Sequence, residues 1–417
     1  MTDPEPEPRH RAFEQEAFGL FLHWGLYALL GRGEWALHNT EIKPDVYEAL
    51  TESFTAESFD GQRIARLASE AGMNYATLTA RHHDGFSLYD TRGLSEYDVT
   101  ATPAGRDLVE EFVSGCRGEG IRPMLYHTTL DWHWGSQDCD GAAFEEYLEY
   151  LHASVELLCT EYGELGGFWF DGNWSRDDVD WRVDELYELI RTHQPEALIV
   201  NNTGMDARGA VSHAEIDSVT FEQATPEPLD RSDMRTYVCA EMCQTMNQHW
   251  GRATQDVHYQ SPADIIETLA TCRGAGANYL LNVGPTAEGA IPAFEKETLR
   301  KVGTWIESHP EPIYHGRPVA AECQGRDFLL ETPDAFYYAA FTLSVSGDEQ
   351  VTLGTGGAGP RSVANFEEPI EHVEWVDTGE SLSFTQHPGA GILRIDCSGY
   401  PYGSDRVVRL ARLTPGS

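Results

Sequence analysis

The sequence predicts an α/β protein in which a (β/α)8 TIM-like barrel, regular or distorted, is followed by a small antiparallel β-sandwich. Three observations support this fold class. Short apolar runs alternate with amphipathic stretches, polar residues stand at the ends of those runs, and the pattern changes to short alternating segments after residue 315. At 417 residues, the chain is long enough for one large barrel and a modest second domain.

Apolar runs bounded by polar residues are the candidate strands of the barrel, and helical patterns lie between some of them. Such alternation is typical of βα units around a parallel sheet. The predicted strands are GLFLHWG (19–25), NYATLTARHHDGF (74–86), IRPMLYHT (121–128), GGFWFDGNW (166–174), EALIVNN (196–202), SVTFEQ (218–223), YVCAEM (237–242) and ANYLLNVGP (277–285). The predicted helices cover 59–72, 105–120, 144–163, 262–276 and 294–314.

Polar side chains at the C-terminal ends of these runs strengthen the barrel prediction. They include His23, His82, His83, Tyr126 and Asp171. Barrels of this kind carry their active sites on the face where the strands end. We therefore expect these side chains to meet in one pocket.

The chain divides by composition into three predicted parts. Residues 1–12 are acidic and rich in Pro and are expected to be disordered, and residues 13–315 form the barrel. Residues 316–417 contain the runs DFLLETP, AFYYAAFTLS, QVTLGT, HVEWVD and GILRIDCS, which predict the sandwich.

The charge balance is strongly acidic. Acidic residues number 68 against 29 basic ones, a net charge of −39, and the only lysines are Lys43, Lys296 and Lys301. This surface argues against nucleic-acid partners and anionic membranes, and no run approaches the roughly 20 apolar residues of a membrane span. The balance resembles that of proteins from salt-accumulating halophilic archaea. An ordinary acidic enzyme is the alternative.

The cysteines and the N-terminal segment bear on compartment and cofactor. Eight Cys occur without a CxxC pair, which indicates neither a zinc site nor a disulfide framework. The segment MTDPEPEPRHRAF has no apolar stretch of the kind found in secretory signals, so we expect a cytoplasmic protein. We predict neither a metal nor another cofactor. The sequence does not distinguish a monomer from a homo-oligomer.

Asp171 is the candidate nucleophile. It stands where the apolar run Phe168-Trp169-Phe170 meets Gly172, so its carboxylate should emerge at the barrel mouth among aromatic neighbours. A carboxylate that attacks an anomeric carbon needs this placement. The alternative is an Asp that caps the next helix.

Three imidazoles, of His23, His82 and His83, could bind a metal or the hydroxyl groups of a sugar. Neighbouring residues on a strand point to opposite faces, which argues against His82 and His83 sharing a metal. Several Trp accompany them, including Trp35 and Trp169, and aromatic faces pack against the apolar side of pyranose rings. The sequence therefore favours a sugar pocket.

A retaining glycosidase needs a second carboxylate as general acid and base. Glu215, Glu222, Glu227 and Glu241 lie near the later strand ends. The residue pattern alone does not separate them.

These motifs resemble the family 29 α-L-fucosidases of the glycoside hydrolases. The resemblance covers roughly residues 15 to 315 and is carried by several segments together: FGLFLHWGLYALLGRGEWALHN, AGMNYATLTARHHDGFSLYDT, LYHTTLDWH, GFWFDGNW, EMCQTMNQHWG and GANYLLNVGPTAEGAIP. It implies an exo-acting enzyme on a distorted barrel with a C-terminal sandwich. Such enzymes cleave terminal α-L-fucose with retention.

The resemblance also implies roles for particular residues. The nucleophile falls on Asp171, and IDSVTFEQ, similar to the family's acidic pattern, places the acid/base on Glu222, with Glu241 and Glu215 as alternatives. The substrate-binding positions fall on His23, Glu34, Trp35, His82, His83, Tyr126 and Trp250.

Two departures from the family pattern bear on substrate preference. Family members often have an Arg where this chain has Thr203, after Asn202, so a guanidinium contact is missing or supplied from elsewhere. His127 replaces a frequent Tyr. A hydrolase of another 6-deoxy or galacto-configured sugar and a catalytically silent fucose-binding barrel are the rival functions.

Overall fold

Eight parallel strands close into a barrel in the computed structural model, which describes residues 4–346, 358–401, 403 and 407–416. They are β1 (Phe18–Leu22), β2 (Tyr75–Arg81), β3 (Arg122–Thr128), β4 (Gly167–Asp171), β5 (Leu198–Asn201), β6 (Ser218–Glu222), β7 (Cys239–Thr245) and β8 (Asn278–Val283). Each pairs with the next in the chain, and β8 pairs with β1. Every strand overlaps a predicted run, so the barrel prediction is confirmed.

The helices are distributed unevenly along the chain. They are α1 (Pro8–Glu16), α2 (Tyr27–Leu30), α3 (Ala36–Asn39), α4 (Pro44–Glu48), α5 (Gly61–Glu70), α6 (Leu108–Gly118), α7 (Ala142–Glu161), α8 (Val183–His193), α9 (Pro262–Gly274), α10 (Ala293–Glu307) and α11 (Pro310–His315). Residues 202–217 and 223–238, which flank β6, contain no helix, and this is the distortion of the barrel. Within the described parts of the chain, every helix is too short or too polar to cross a membrane.

A single helix predicted over 294–314 is two helices in the structure. Pro310 stands in the first turn of α11. A proline has no backbone N–H to donate and clashes with the preceding turn of a helix, so α10 ends before it.

The prediction of a disordered segment over residues 1–12 is wrong for residues 8–12, which belong to α1. Phe13 is buried among the aromatic side chains of the barrel interior. Arg9 Nε and His10 Nε2 both lie 2.8 Å from Oδ1 of the buried Asp217. These contacts anchor the helix, and a composition rich in Pro and Glu does not reveal them.

The C-terminal strands are β9 (Arg317–Pro318), β10 (Glu322–Cys323), β11 (Phe328–Glu331), β12 (Phe336–Ala340), β13 (Val345–Ser346), β14 (Gly359–Ala364), β15 (Ile370–Trp375), β16 (Phe384–His387), β17 (Ile392–Cys397), β18 (Tyr400–Pro401) and β19 (Arg409–Pro415). In the described residues, nine of them form two antiparallel sheets, ordered β10-β14-β17-β16 and β15-β19-β12-β11-β9, and β13 pairs with β18 in a parallel two-stranded sheet. Tyr338, Trp375 and Leu393 are among the buried side chains of one core, as expected of a sandwich. The predicted run QVTLGT lies outside the described residues.

The compact units of the chain do not follow the predicted boundary at residue 316. The first unit runs to Gln260 and resumes over Asn278–Arg300, and the second contains Ser261–Ala277 and the chain from Lys301 onward. Helix α9 contacts β9 and β11 and therefore belongs to the second unit. The change from helices to strands still falls near the predicted point, because α11 ends at His315.

Candidate active site

The predicted site residues come together at the C-terminal ends of the barrel strands. The ring centroids of His23 and His82 are 5.5 Å apart, and those of His82 and His83 are 4.3 Å apart. Trp35 approaches His83 at 5.6 Å, and Trp250 approaches His23 at 4.9 Å. These five rings form a continuous wall at the face where barrel enzymes carry their active sites.

Asp171 is the last residue of β4, and its two carboxylate oxygens are surrounded by donors. Oδ1 accepts from Trp174 Nε1 at 2.7 Å and from Asn202 Nδ2 at 3.2 Å. Oδ2 accepts from Tyr126 Oη at 3.0 Å and lies 3.4 Å from His83 Nε2. The carboxylate therefore does not cap a helix, and the turn that follows it has Gly172 at its N-cap.

These contacts determine the charge of Asp171. Burial by itself would raise the pKa of the carboxyl group, but His83, Trp174 and Tyr126 outweigh it and hold the pKa below its usual value. Asp171 is therefore ionised at neutral pH, as a carboxylate nucleophile must be.

Glu222 is the last residue of β6 and faces Asp171. Its Oε2 accepts from the same nitrogen, Asn202 Nδ2, at 2.8 Å. Burial and the charge of Asp171 raise the pKa of Glu222, while the hydrogen bond from Asn202 lowers it. Two carboxyl groups with pKa values pushed in opposite directions are the arrangement that acid/base catalysis requires.

The other candidate carboxylates lie elsewhere. Glu241 is completely buried inside the barrel, where its oxygens accept from Tyr75 Oη at 2.6 Å and Trp169 Nε1 at 3.0 Å. Cys243 is the register partner of Glu222, so Glu241 lies two residues, about 7 Å, below the rim. Glu215 is exposed at the opposite end of β6, and Glu227 is exposed in the connection that follows β6.

Hydrogen bonds and burial leave His23 neutral and able to accept a hydrogen bond. Asn282 donates Nδ2–H to the Trp250 carbonyl, so its Oδ1 is the acceptor that faces His23 Nδ1 at 2.7 Å. Nδ1 of His23 therefore carries the hydrogen, and Nε2 keeps its lone pair. Burial lowers the pKa of His23 to about 3.

His82 is also neutral, because burial and the two neighbouring imidazoles hold its pKa well below the usual value. The expectation that His82 and His83 point to opposite faces is wrong. Strand β2 ends at Arg81, and the alternation of side chains ends with it. Among the described residues, no group of three or more His, Cys, Asp and Glu side chains has the arrangement of a metal site.

Glu34 connects two loops of the pocket. Its Oε2 accepts from the backbone N–H of Gly251 at 2.7 Å, directly after Trp250. Burial raises the pKa of Glu34. Trp35, next to it, stacks over Trp174 with an interplanar angle of 19° and meets the edge of Trp132. These indoles supply the apolar wall that the sequence predicts.

Two contacts of the nucleophile candidate were not predicted from the sequence. Trp174 and Asn202 both donate to Asp171, although the sequence marks Trp174 only as one of several aromatic residues and Asn202 only as the neighbour of the departure at Thr203. Their positions, three residues after Asp171 and just beyond a strand end, were the available signal. The second departure is His127, a residue of β3. Its buried side chain contacts Tyr89 and neither of these carboxylates.

Comparison with known proteins shows which family this chain is similar to. The model of the alpha-L-fucosidase family matches residues 2–311. Tissue alpha-L-fucosidase of Mus musculus is 27% identical over 79% of this chain and 77% of its own length. The alpha-L-fucosidase isoenzyme 1 structure from Paenibacillus thiaminolyticus is 30% identical, with a TM-score of 0.83 over 98% of this chain and 99% of that one.

A structure from Bacteroides thetaiotaomicron extends the likeness of fold. This GH29 alpha-L-fucosidase has a TM-score of 0.83 at 21% identity, over 100% of this chain and 96% of that chain. The family match covers most of the chain and includes both candidate carboxylates. The chain therefore belongs to the alpha-L-fucosidase family of glycoside hydrolases.

Proposed function

We propose that this protein is a retaining exo-α-L-fucosidase that removes terminal α-L-fucose from fucosides, with Asp171 as the nucleophile and Glu222 as the general acid and base. One observation carries the proposal. Oδ1 of Asp171 and Oε2 of Glu222 contact the same nitrogen and so lie at most about 6 Å apart. Inverting enzymes hold their carboxyl groups roughly 6.5–9.5 Å apart to admit a water, whereas retaining enzymes hold them about 5–5.5 Å apart.

The reaction takes two displacements. Asp171 attacks the anomeric carbon of fucose while Glu222 protonates the departing glycosidic oxygen, which forms a fucosyl-enzyme ester. Glu222, now ionised, then takes a proton from water, and the resulting hydroxide equivalent displaces Asp171 from the anomeric carbon. The proton returned to Glu222 restores the starting state.

The pocket supplies partners for the sugar. Neutral His23 offers a lone pair on Nε2 to a hydroxyl group, and Nδ1 of the buried His82 has no partner among the described residues. Glu34 supplies a second acceptor, and the indoles of Trp35 and Trp250 border the space. We propose that these residues, with His83 and Tyr126, select fucose.

The test uses purified variants and aryl α-L-fucosides. Asp171→Gly should abolish turnover, and Glu222→Ala should lose activity that added azide partly restores. Glu215→Ala is the matched control, because this exposed carboxylate pairs with Arg191 outside the pocket. Normal rates in Asp171→Gly, or azide rescue in Glu241→Ala instead, would refute the assignment.

The sugar preference needs a separate measurement. A panel of nitrophenyl glycosides should show turnover of the α-L-fucoside. Faster turnover of another 6-deoxy or galacto-configured sugar would favour that substrate. Binding of fucose without turnover of any glycoside would identify a silent binding protein.

A further inference from the structure

The side-chain amide of Asn202 lies between the two carboxyl groups. Asn202 directly follows β5 and is only 3% exposed. Its Nδ2 is 3.2 Å from Oδ1 of Asp171 and 2.8 Å from Oε2 of Glu222. One NH2 group has two hydrogens, so it can serve both acceptors at once.

Two donors fix the orientation of this amide. Thr220 Oγ1 and the backbone N–H of Gly204 both donate to Asn202 Oδ1, at 3.1 and 3.2 Å. Rotation of the amide by half a turn would place the oxygen against two carboxylates and the NH2 group against two donors. The observed orientation is therefore strongly preferred.

We propose that Asn202 is a positioning residue that occupies Oε2 of Glu222, so that the catalytic proton is carried on Oε1, while it also holds Asp171 in its attacking orientation. The inference rests on the proposed function. In a neutral carboxyl group the carbonyl oxygen is a better acceptor than the hydroxyl oxygen, so an amide N–H at Oε2 favours a protonated Glu222 that carries its hydrogen on Oε1. Within the described residues, Oε1 has no hydrogen-bond partner and is free for the glycosidic oxygen.

Asn202 also affects the pKa of Glu222. The charged and titratable groups around this carboxyl group are Asp171, Tyr126, His83, Arg208 and Cys243. Burial and the charge of Asp171 raise the pKa of Glu222, and the hydrogen bond from Asn202 opposes them. Asn202 thus keeps Glu222 acidic enough to ionise during the first displacement.

Two nearby side chains do not take over the role of this amide. Thr203 directly follows Asn202, and its hydroxyl donates to the Ala207 carbonyl at 2.6 Å. Arg208 is exposed, and its Nε donates to the backbone carbonyl of Glu222 at 2.6 Å. Neither side chain hydrogen-bonds the Glu222 carboxyl group in the described structure, whereas Asn202 does.

The test compares the pH profiles of Asn202→Ala and Asn201→Ala. Asn202→Ala removes the N–H donor to Glu222 and should therefore raise the pKa of Glu222. The alkaline limb of the pH profile of kcat/KM should move to higher pH by about 0.5–1 unit. Activity should fall by about tenfold on fucosides with poor leaving groups and by less on activated aryl fucosides, which need little protonation. Asn201 is the matched control because its Nδ2 donates to Tyr187 Oη at 2.7 Å. Its variant should keep both limbs in place.

A second variant controls for misfolding of Asn202→Ala. Asn202→Asp preserves side-chain size but replaces the donor with an acceptor, so kcat/KM at neutral pH should fall at least as far as in Asn202→Ala. An unshifted alkaline limb in Asn202→Ala, with equal losses on good and poor leaving groups, would overturn the proposal. A purely structural role would produce that result together with a lower Tm.

A double-mutant cycle separates this inference from the proposed function. In Glu222→Ala, Asn202→Ala should no longer change the dependence on leaving group, because the acid is already absent. Normal turnover in Glu222→Ala would refute the acid/base assignment itself. An impaired, azide-rescued Glu222→Ala beside an unshifted Asn202→Ala would refute only the role of Asn202.

Discussion

Trp174 donates its indole N–H to Oδ1 of Asp171 over 2.7 Å, although its side chain is 40% exposed. The ring lies nearly parallel to Trp35 and covers Gly204, where a Cβ would come within 3.2 Å of it. A residue at the rim of the pocket therefore contacts the proposed nucleophile directly. This hydrogen bond connects the stacked indoles of Trp35 and Trp174 to the carboxylate that is proposed to attack the sugar.

Trp174→Phe should keep the apolar face and lose the donor. The pKa of Asp171 should rise because its ionised form loses a hydrogen bond, and the acidic limb of kcat/KM should move to higher pH. We expect kcat to fall roughly tenfold. Trp134→Phe is the control, since Trp134 is similarly exposed but stacks on Tyr150. Equal profiles for both variants would show that the indole N–H has no role.

Glu241→Gln should affect stability rather than chemistry. Burial raises the pKa of Glu241 to about 7, so the folded protein keeps a proton that the unfolded chain releases above a pH of about 4.3. Stability conferred by the protonated state is therefore lost as the pH rises from about 4.3 towards 7. The glutamine variant should show a flatter dependence of unfolding free energy on pH in urea titrations, with its kcat/KM profile retained.

If Glu241→Gln lost activity as Glu222→Ala does, and azide restored it, Glu241 would have a role in chemistry and not only in stability. Glu16 is a neighbouring, partly buried carboxyl group, and its pKa is also raised to about 7, chiefly by removal from water. Glu16→Gln is therefore a useful comparison, because it should flatten the same pH range without contact with the Glu241 donors.

Asp217→Asn should weaken the anchor of the N-terminal helix. Burial would raise the pKa of Asp217, but His10, Arg191 and Arg9 outweigh it and lower the pKa to about 2. The stabilisation is present above the unfolded value of about 3.9 and is lost as the pH falls towards 2. At pH 7 the variant should lose about 2 kcal/mol of unfolding free energy.

Urea titrations at pH 7 and pH 3 measure this effect. The deficit of Asp217→Asn should be smaller at pH 3. Asp334→Asn alters an exposed carboxylate and should behave as the unmodified protein at both values. An equal deficit at both pH values would assign the loss to packing and not to charge.

Salt should stabilise the protein. A net charge of −39 repels itself, and at 1 M ionic strength the Debye length falls to about 3 Å. We expect both Tm and activity to rise in molar salt, and each of them to rise as much in KCl as in NaCl. Differential scanning fluorimetry measures Tm, and aryl fucoside turnover measures activity. A Tm that is highest in low salt would contradict adaptation to a saline environment.

Chelation should leave turnover unchanged. The imidazoles of His23 and His83 hydrogen-bond to Asn282 and Thr128, and the mechanism assigns every proton and bond change to two carboxylates and water. Dialysis against EDTA should therefore preserve kcat/KM. A loss of activity that zinc or another divalent cation restores would contradict a metal-independent mechanism.

Much of the fold and of the site can be predicted from local pattern. Strand β4 is an apolar run that ends at Asp171, and a parallel barrel collects the ends of its strands on one face. His23, Tyr126 and Asp171 follow directly from that rule. Helix α1 does not, because its stability depends on Asp217, some 200 residues away in sequence.

The sequence by itself predicted the barrel, the sandwich and the position of Asp171 at the barrel mouth, because hydrophobic periodicity and strand ends are local properties. The family resemblance then marked Asp171 as the nucleophile candidate. The family resemblance favoured Glu222 among the second carboxylates, and only the tertiary structure separates their positions. Glu222 and Glu241 are separated by 18 residues and lie on adjacent strands, yet one faces Asp171 through Asn202 and the other is enclosed within the barrel. Depth along a strand and contacts across strands depend on how all eight strands are staggered when the barrel closes, and that stagger is a property of the whole sheet.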